Sequence, residues 1–198
     1  NLDTAIEFAA LNFPVTIKAT AKDLAHKTDF KGVYLDIRTI SELEDKFVEL
    51  RENISKITGN PSPEILIQQM VDGKVEFFVG ANREGNSKIY EENGRGFGHL
   101  LAIGQGGIYT EVFKDIRHIL IPEYEEKIRD ILNETKVATI LNGYRGKPAL
   151  AKEKLIDLIT KIEKLLISYP EIISLDINPV IITENRAIVV DAKFYVKK

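Results

Sequence analysis

The segment LDINPVII at residues 175–182, followed by AIVVDAK at residues 187–193, has the pattern of paired β-strands. Both segments are rich in β-branched residues, and the pair Glu184-Asn185 between them is typical of a turn. The sequence therefore predicts terminal strands around this turn, at residues 172–177, 180–182 and 187–195.

Two polar side chains in these strands are candidate magnesium ligands. Asn178 shares a strand face with Asp176 and precedes a proline, which keeps its backbone extended. Asp191 interrupts an apolar run, where a carboxylate is costly unless it is paired or bound to a metal. Amide and carboxylate oxygens are hard ligands suited to a Mg²⁺ ion shared with phosphates. The residues alone leave a second interpretation open, in which Asn178 caps a turn and Asp191 pairs with Lys193.

Upstream of these strands, β-rich runs alternate with helical patterns. Thr39 and Ser41 each precede a Glu by three residues, which is the spacing of a capping box, and an apolar helix face follows as far as Ile57. The pair Asp72-Gly73 predicts a hairpin turn between two strands, the first of them buried. Further helices are predicted to end near Leu132, Leu141 and Ile167, and further strands at 14–20, 32–37, 64–70, 75–81, 97–103, 110–112 and 116–121.

These patterns predict an α+β, or mixed α/β, fold and not a regular βαβ series. A break near residue 71 is a plausible hinge between two sub-lobes, an N-terminal one at 1–70 and a C-terminal one at 71–198.

The composition of the chain argues against several classes of function. The 198 residues carry a net charge of −3, which disfavours a protein that coats nucleic acid. No apolar run approaches the roughly 20 residues of a membrane span, and no signal peptide is visible. The absence of cysteine excludes disulfides, thiolate catalysis and Cys-ligated metals, and three histidines poorly support a multi-His metal site. We therefore expect a cytoplasmic protein that binds neither nucleic acid nor membrane.

Three further features are candidates for a site. The glycines of GQGG at 104–107 let backbone N–H groups approach an anion, although a plain tight turn is the commoner reading. Lys18, at the end of a predicted strand, either reaches solvent with its ammonium or faces a phosphate. His26 lies in a polar loop and is either a solvated side chain or a functional one. His99 and His118 are expected to be structural.

Five blocks of the chain together resemble a known family. They are FPVTIKAT…HKTDFKGV, ILIQQMVDGKVEFFVG, FGHLLAIGQGGIYTEVFKD, LNGYRG and LDINPVII…AIVVDAK, in this order. The chain resembles the ATP-grasp domain of ADP-forming acyl-CoA synthetases, specifically the β subunit of ADP-forming acetate–CoA ligase, and is more distantly similar to succinyl-CoA synthetase β. The resemblance covers nearly the whole chain and implies an ATP-grasp fold whose two lobes clamp ATP or ADP.

The resemblance also implies roles for individual residues. The positions that match its nucleotide-binding motifs are Lys18 at the phosphates, Gln69, Met70 and Val71 at the adenine, Glu76 just beyond this hinge, and Gly106, Gly107 and Glu111 facing the phosphates. Asn178 and Asp191 match the Mg²⁺ ligands, in agreement with the spacing argument above. His26 matches the histidine that is transiently phosphorylated. A CoA-binding α-type subunit or domain is implied as partner.

In this scheme the partner converts acyl-CoA and phosphate to acyl phosphate and CoA, and the phosphoryl group reaches ADP on this chain. The chain departs from the family pattern at Lys31, where a glycine is usual, and at Gly94-Arg95, where Asp-Pro is usual. These departures motivate an alternative, a nucleotide-binding regulatory subunit with impaired catalysis. Another ATP-grasp ligase is a third reading, which HKTD and the LDINP…VVDAK pair disfavour.

Overall fold

The computed structural model describes residues 1–20, 32–73, 75–84, 98–107, 110 and 114–197, with Glu84 described by its backbone alone. These residues separate into two compact units, Asn1–Met70 and Val71–Lys198. Helices and antiparallel strands mix in both units, and the predicted α+β class is confirmed. No helix in the described ranges combines the length and the apolar character that crossing a bilayer requires.

The first unit is a three-stranded antiparallel sheet with two helices. Its strands are β1 (Val15–Ala19), β2 (Val33–Ile37) and β3 (Ile65–Gln69), in the order β2-β1-β3, and its helices are α1 (Leu2–Asn12) and α2 (Ile40–Thr58). Apolar side chains of β1 and of both helices form one core. This core lies on a single face of β1, because side chains alternate along a strand.

Helix α2 forms where the capping pattern predicted it. The Thr39 side chain accepts a hydrogen bond from the Glu42 N–H at 3.2 Å, and the Glu42 carboxylate accepts one from the Arg38 N–H at 3.0 Å. Gly59 ends the helix in the left-handed region, at φ 70°. Of the two candidate caps, the structure uses Thr39 and places Ser41 inside the helix.

Helix α1 was not predicted. Asn1, which precedes the helix, caps it by accepting a hydrogen bond from the Thr4 N–H at 2.9 Å, and the helix buries Ala5 and Ala9 against the core. The signal in the sequence is weak because the buried positions are alanines, whose small side chains contribute little to an apolar periodicity.

The predicted hairpin at Asp72-Gly73 is wrong. Strand β3 pairs with β1 in the first unit, whereas β4 (Val75–Glu84) pairs with strands of the second. A Cβ on Gly73 would collide with the Ile181 side chain, so the glycine serves close packing on the second sheet and not a turn between paired strands. Strand β3, predicted as buried, is an edge strand of its sheet with Leu66 43% exposed.

The second unit is built on a six-stranded antiparallel sheet. Its further strands are β5 (Gly98–Gln105), β6 (Ile116–Leu120), β7 (Ile172–Ile182), β8 (Ala187–Val189) and β9 (Ala192–Val196), and its helices are α3 (Glu125–Asn133), α4 (Val137–Leu141) and α5 (Lys152–Ser168). The path runs β6-β5-β4-β7-β8, and β9 also pairs with β7. The helices contribute to one apolar core with one face of this sheet.

The terminal strands differ from the prediction in two places. Strand β7 continues through Asn178 and Pro179, where two strands were predicted, and the predicted strand at 187–195 divides into β8 and β9. The turn at Glu184-Asn185 is confirmed by the pairing of β7 with β8. The predicted strand at 110–112 falls mostly outside the described residues, and Thr110 itself lies in a helical turn.

Candidate functional site

Lys18 lies in the central strand of the first sheet, between Val33 of β2 and Leu66 of β3. It is 7% exposed, and Thr16, which shares its strand face, is 5% exposed. This burial disagrees with the reading in which the ammonium reaches bulk solvent. A buried ammonium is costly unless an anion or several acceptors surround it.

The segment Gln69-Met70-Val71 presents main-chain groups at the end of β3. The Met70 N–H donates to the Pro14 carbonyl at 2.9 Å, and hydrogen-bonded pairs alternate with non-bonded pairs along antiparallel strands. The Gln69 N–H and C=O therefore point away from β1, toward the outer edge of the sheet. Within the described residues no acceptor takes the Val71 N–H. As far as the described ranges show, an acceptor on Gln69 and a donor on Val71 are thus available two residues apart.

A compact cluster forms in the second unit where β5 ends beside β4 and β7. The Gly106 N–H donates to the Glu76 carbonyl at 2.9 Å, and the Gly107 N–H donates to Asn178 Oδ1 at 3.1 Å. A Cβ on Gly106 would lie 2.6 Å from the Phe77 carbonyl carbon, and one on Gly107 would collide with a carboxylate oxygen of Glu76. Glycine at both positions therefore allows close approach, as the sequence suggested, but both N–H groups donate to the chain itself.

Asn178 occupies an irregularity in β7. Phe77 pairs with Val180 and Val79 pairs with Ile177, so Asn178 and Pro179 together stand opposite a single residue of β4. Such a bulge re-aims the side chain that it carries. Here the re-aimed side chain is a candidate metal ligand.

Asp191 lies at the break between β8 and β9 and not within a strand as predicted. Strand β8 pairs with residues 180–182 of β7 and β9 with residues 172–177, so the break lies level with the bulge. The Val190 N–H donates to the Pro179 carbonyl at 3.2 Å and fixes this arrangement. Asn178 and Asp191, thirteen positions apart in the sequence, are thereby brought to the same place on the sheet.

A second carboxylate, that of Asp176, interacts electrostatically with Asp191. It pairs in register with Lys193 of β9. Burial raises the pKa of Asp176, the positive charge of Lys193 opposes this rise, and the negative charge of Asp191 adds to it. The two carboxylates are therefore close enough to repel each other, and a cation would relieve this repulsion.

The donors at this place fit magnesium. One amide oxygen and two carboxylates are hard oxygen ligands. The described part of the chain holds no cluster of three or more His, Cys, Asp or Glu that could form a full protein cage. Mg²⁺ commonly uses one or two carboxylates and completes its shell with phosphate oxygens and water, so the small donor set is the type that a metal–nucleotide complex needs.

Two predicted site residues, His26 and Glu111, lie outside the described residues, as do the departures at Lys31 and Gly94. His99 is structural as expected: it is 5% exposed, and its Nε2 forms a 2.7 Å hydrogen bond with the Ile172 carbonyl.

Sequence reasoning overlooked Asp115, which directly precedes β6 and holds the start of α4. Its carboxylate accepts hydrogen bonds from the N–H groups of Lys136 at 2.9 Å and Val137 at 3.0 Å, and the residue is 2% exposed. Nothing near Asp115 in the sequence signals this role, because its partners begin α4 more than twenty residues away.

The model of the ATP-grasp domain family matches residues 2–196. The chain belongs to the ATP-grasp family. Acetate–CoA ligase (ADP-forming) I of Archaeoglobus fulgidus is 32% identical over 198 residues, covering 96% of this chain and 27% of that protein. The β subunit of acetate–CoA ligase (ADP-forming) II of Pyrococcus furiosus is 32% identical over 203 residues, covering 99% of this chain and 81% of the subunit.

Solved structures agree with this membership. Acetyl-coenzyme A synthetase 1 of Ca. Korarchaeum cryptofilum, in complex with coenzyme A and Ca-AMPCP, superposes with a TM-score of 0.86 at 27% identity, covering all of this ATP-grasp chain and 82% of that chain. The same protein with coenzyme A and Mg-AMPPCP has a TM-score of 0.80 at 26% identity over 100% and 83% of the chains, and its phosphohistidine segment points towards the nucleotide binding site.

The resemblance predicted from the sequence is therefore confirmed. The two relatives named above are enzymes, ADP-forming acetate–CoA ligases. The chain spans about a quarter of the length of the longer relatives, such as that of A. fulgidus, and about four-fifths of the separate β subunits.

Proposed function

We propose that the chain is the β-type, nucleotide-binding part of an ADP-forming acyl-CoA ligase, with acetate–CoA ligation as the first candidate. In this role it transfers a phosphoryl group between a phosphohistidine and ADP or ATP. The observation that carries the proposal is the convergence of Asn178 and Asp191 at the bulge of β7, beside Gly107.

The second unit would hold Mg²⁺ through Asn178 and Asp191. When bound, the metal neutralises charge on the nucleotide phosphates. Lys18 of the first unit would supply a further positive charge for these phosphates, because it stands at the position that matches the phosphate-binding lysine of the family. The two units would then act as the two lobes of a nucleotide clamp.

The segment at 69–71 suits an adenine. The Watson–Crick edge of adenine offers an amino donor and a ring-nitrogen acceptor, which complement the Gln69 C=O and the Val71 N–H. Guanine presents the opposite order and would place like groups against each other. Glu76 is the acidic member of the nucleotide site, and because a carboxylate repels phosphate, its contact is expected to be with hydroxyl groups of the nucleotide.

His26 is the proposed phosphoryl carrier on this chain. Its neutral imidazole nitrogen is nucleophilic near pH 7, and the phosphoramidate gives the group up readily. In the direction of ATP formation the N–P bond breaks and a bond from phosphorus to a β-phosphate oxygen of ADP forms, so that ADP becomes ATP and the histidine is released. Glu111 is proposed to face the same phosphates.

A CoA-binding α-type partner completes the proposal. The relatives that carry both functions on one chain are several times longer than this one, and separate β subunits also exist among them. The acyl group is then selected on the partner, and this chain alone is expected to form no acyl-CoA.

Calorimetry with ADP, with and without Mg²⁺, tests the metal assignment. Asp191→Ala should reduce the magnesium-dependent affinity at least tenfold, because loss even of outer-shell partners reduces metal affinity about 10–100-fold. Glu184→Ala, in the exposed turn between β7 and β8, is the matched control and should bind as wild type does. Unchanged affinity in Asp191→Ala would refute the ligand assignment.

Labelling with γ-labelled ATP, or by an α partner with acyl-CoA and phosphate, tests the carrier. Wild type should acquire an acid-labile, base-stable label that His26→Ala lacks. Equal labelling of the two proteins would remove His26 from the mechanism. Nucleotide binding without any label would favour the regulatory alternative.

A further inference from the structure

The hydrogen bond between Gly107 and Asn178 links two residues that the proposed function treats separately. Gly107 matches a family segment that faces the nucleotide phosphates, and Asn178 is a proposed metal ligand. The Gly107 N–H nevertheless donates to the Asn178 side chain, 71 positions away, at 3.1 Å. That N–H is therefore engaged before any phosphate arrives.

The backbone conformation of Gly107 fixes the direction in which this N–H points. Its φ of +82° lies in the left-handed region, which side chains other than glycine rarely adopt, and a Cβ there would collide with the Glu76 carboxylate. The preceding residue is tied to β4 by the hydrogen bond from the Gly106 N–H to the Glu76 carbonyl. The direction of the Gly107 N–H is thus set by its backbone and by its neighbours on β4.

An asparagine side chain can be turned so that either its oxygen or its NH₂ group faces a given partner. Because the Gly107 N–H is a donor, only the orientation in which the asparagine oxygen faces it forms a hydrogen bond. The other orientation places two donors against each other. A carbonyl oxygen has two lone pairs, so the one that Gly107 does not use remains for a cation.

We propose that Gly107 is a positioning residue of the metal site. Its N–H holds the Asn178 side chain with Oδ1 as the group offered to a divalent cation, and it does not bind the nucleotide phosphates directly. This inference rests on the proposed function for the identity of the cation and deepens it.

The proposal and its alternative differ in a measurable quantity, the ratio of the ADP dissociation constant in EDTA to that in Mg²⁺. We refer to this ratio as the magnesium gain. Loss of a positioning residue lowers the magnesium gain, whereas loss of a direct phosphate donor raises both dissociation constants and leaves the gain unchanged.

Calorimetry on the full 198-residue chain compares three variants with wild type. Gly107→Ala and Asn178→Ala should each lower the magnesium gain at least tenfold, and Asn178→Asp should keep it within about fivefold, because a carboxylate oxygen can accept from Gly107 and bind the cation. A Gly107→Ala protein with the wild-type gain, but with both dissociation constants raised equally, would overturn the proposal.

Gly146→Ala is the matched control for backbone strain. Gly146 has a similar φ of +78°, lies in the same unit, and has nothing within 4 Å of an added Cβ. The gain should stay within twofold of wild type in this variant. An equal loss in Gly146→Ala and Gly107→Ala would assign the effect to backbone strain and overturn the proposal.

A second measurement needs neither nucleotide nor a folded Gly107→Ala protein. NMR hydrogen exchange of the Gly107 amide, without nucleotide, should be at least tenfold faster in Asn178→Ala than in wild type and near the wild-type rate in Asn178→Asp. Equal rates in all three proteins would overturn the positioning role. A wild-type chain that binds no ADP under any condition would refute the proposed function, and the exchange rates would still decide whether Gly107 orients Asn178.

Discussion

The two units of the molecule present their candidate functional groups in different ways. In the first unit, Lys18 lies in β1 where that strand pairs with β3 in unbroken register, and α2 is bounded by caps within four residues of its ends. In the second unit, the candidate groups lie at irregularities: a bulge at Asn178, a strand break at Asp191 and a left-handed glycine at Gly107.

This difference shows where local and long-range interactions govern the site. A regular strand places a side chain by its own alternation, whereas a bulge and a strand break acquire their positions from the neighbouring strands. The second unit should therefore be more sensitive to the loss of contacts between residues that are distant in sequence, and the first to the loss of local ones.

The largest effect on stability is expected at Asp115, a long-range anchor of the second unit. Asp115→Ala leaves the N–H groups of Lys136 and Val137 without their acceptor and should lower the free energy of unfolding by about 2–5 kcal/mol. Urea denaturation measures this loss. Asp130→Ala, on the exposed side of α3, should change it by less than about 0.5 kcal/mol. Similar losses in the two variants would contradict the anchoring role.

In the first unit, the sharpest test of a locally placed functional group is Lys18→Met. Because hydrogen bonds to charged groups contribute about 1.5–3 kcal/mol, ADP affinity should fall about 10–100-fold, with a smaller loss in Lys18→Arg, which keeps the charge. Calorimetry measures both, and Lys56→Met on the exposed side of α2 serves as control. Wild-type affinity in Lys18→Met would remove this residue from the nucleotide site.

A smaller effect is expected from the local cap of α2. Thr39→Ala removes the oxygen that accepts from the Glu42 N–H and should lower the free energy of unfolding by about 1 kcal/mol, while Thr39→Ser should keep most of it. Ser41→Ala is the control, because Ser41 lies inside the helix, where alanine is the better helix former. Chemical denaturation that finds Ser41→Ala the more damaging change would show that the helix begins differently.

The smallest effect concerns Glu153 on α5, which pairs with Arg129 on α3. The Arg129 guanidinium, through a hydrogen bond and its charge, lowers the pKa of the Glu153 carboxyl. A carboxyl with a lowered pKa in the folded state stabilises the protein above its unfolded pKa and loses this contribution as the pH falls through the lowered value. Glu153→Gln should therefore melt slightly below wild type at pH 7.

Melting curves recorded from neutral to acidic pH check this expectation. The difference between Glu153→Gln and wild type should shrink as the pH falls, and it should also shrink at high salt, because the pair is exposed and screened. A difference that stays constant across the pH range would mean that the charge of Glu153 has no part in it.

Strong local periodicity allowed much of the fold to be predicted. Helices α2 and α5 have long apolar faces, and each strand of the terminal hairpin is a run of β-branched residues, so their existence followed from the sequence. Helix α1 was not predicted because the alanines that it buries contribute little to an apolar periodicity. The hairpin prediction at Asp72-Gly73 was wrong because a turn-forming dipeptide indicates only that the chain can bend there. It does not indicate whether the flanking strands pair.

The sequence by itself determined the residue types of the candidate site and the order of its motifs. It also determined the local caps, because a cap depends on neighbours within about four positions along the chain. Only the tertiary structure decided that Gly107 donates to Asn178, that Asp191 lies level with the bulge of β7, and that Asp115 holds the start of α4. The physical reason is register. Which residue of one strand stands opposite which residue of another is set by packing over the whole sheet, and a shift of one position in β7 would turn the Asn178 side chain to the other face.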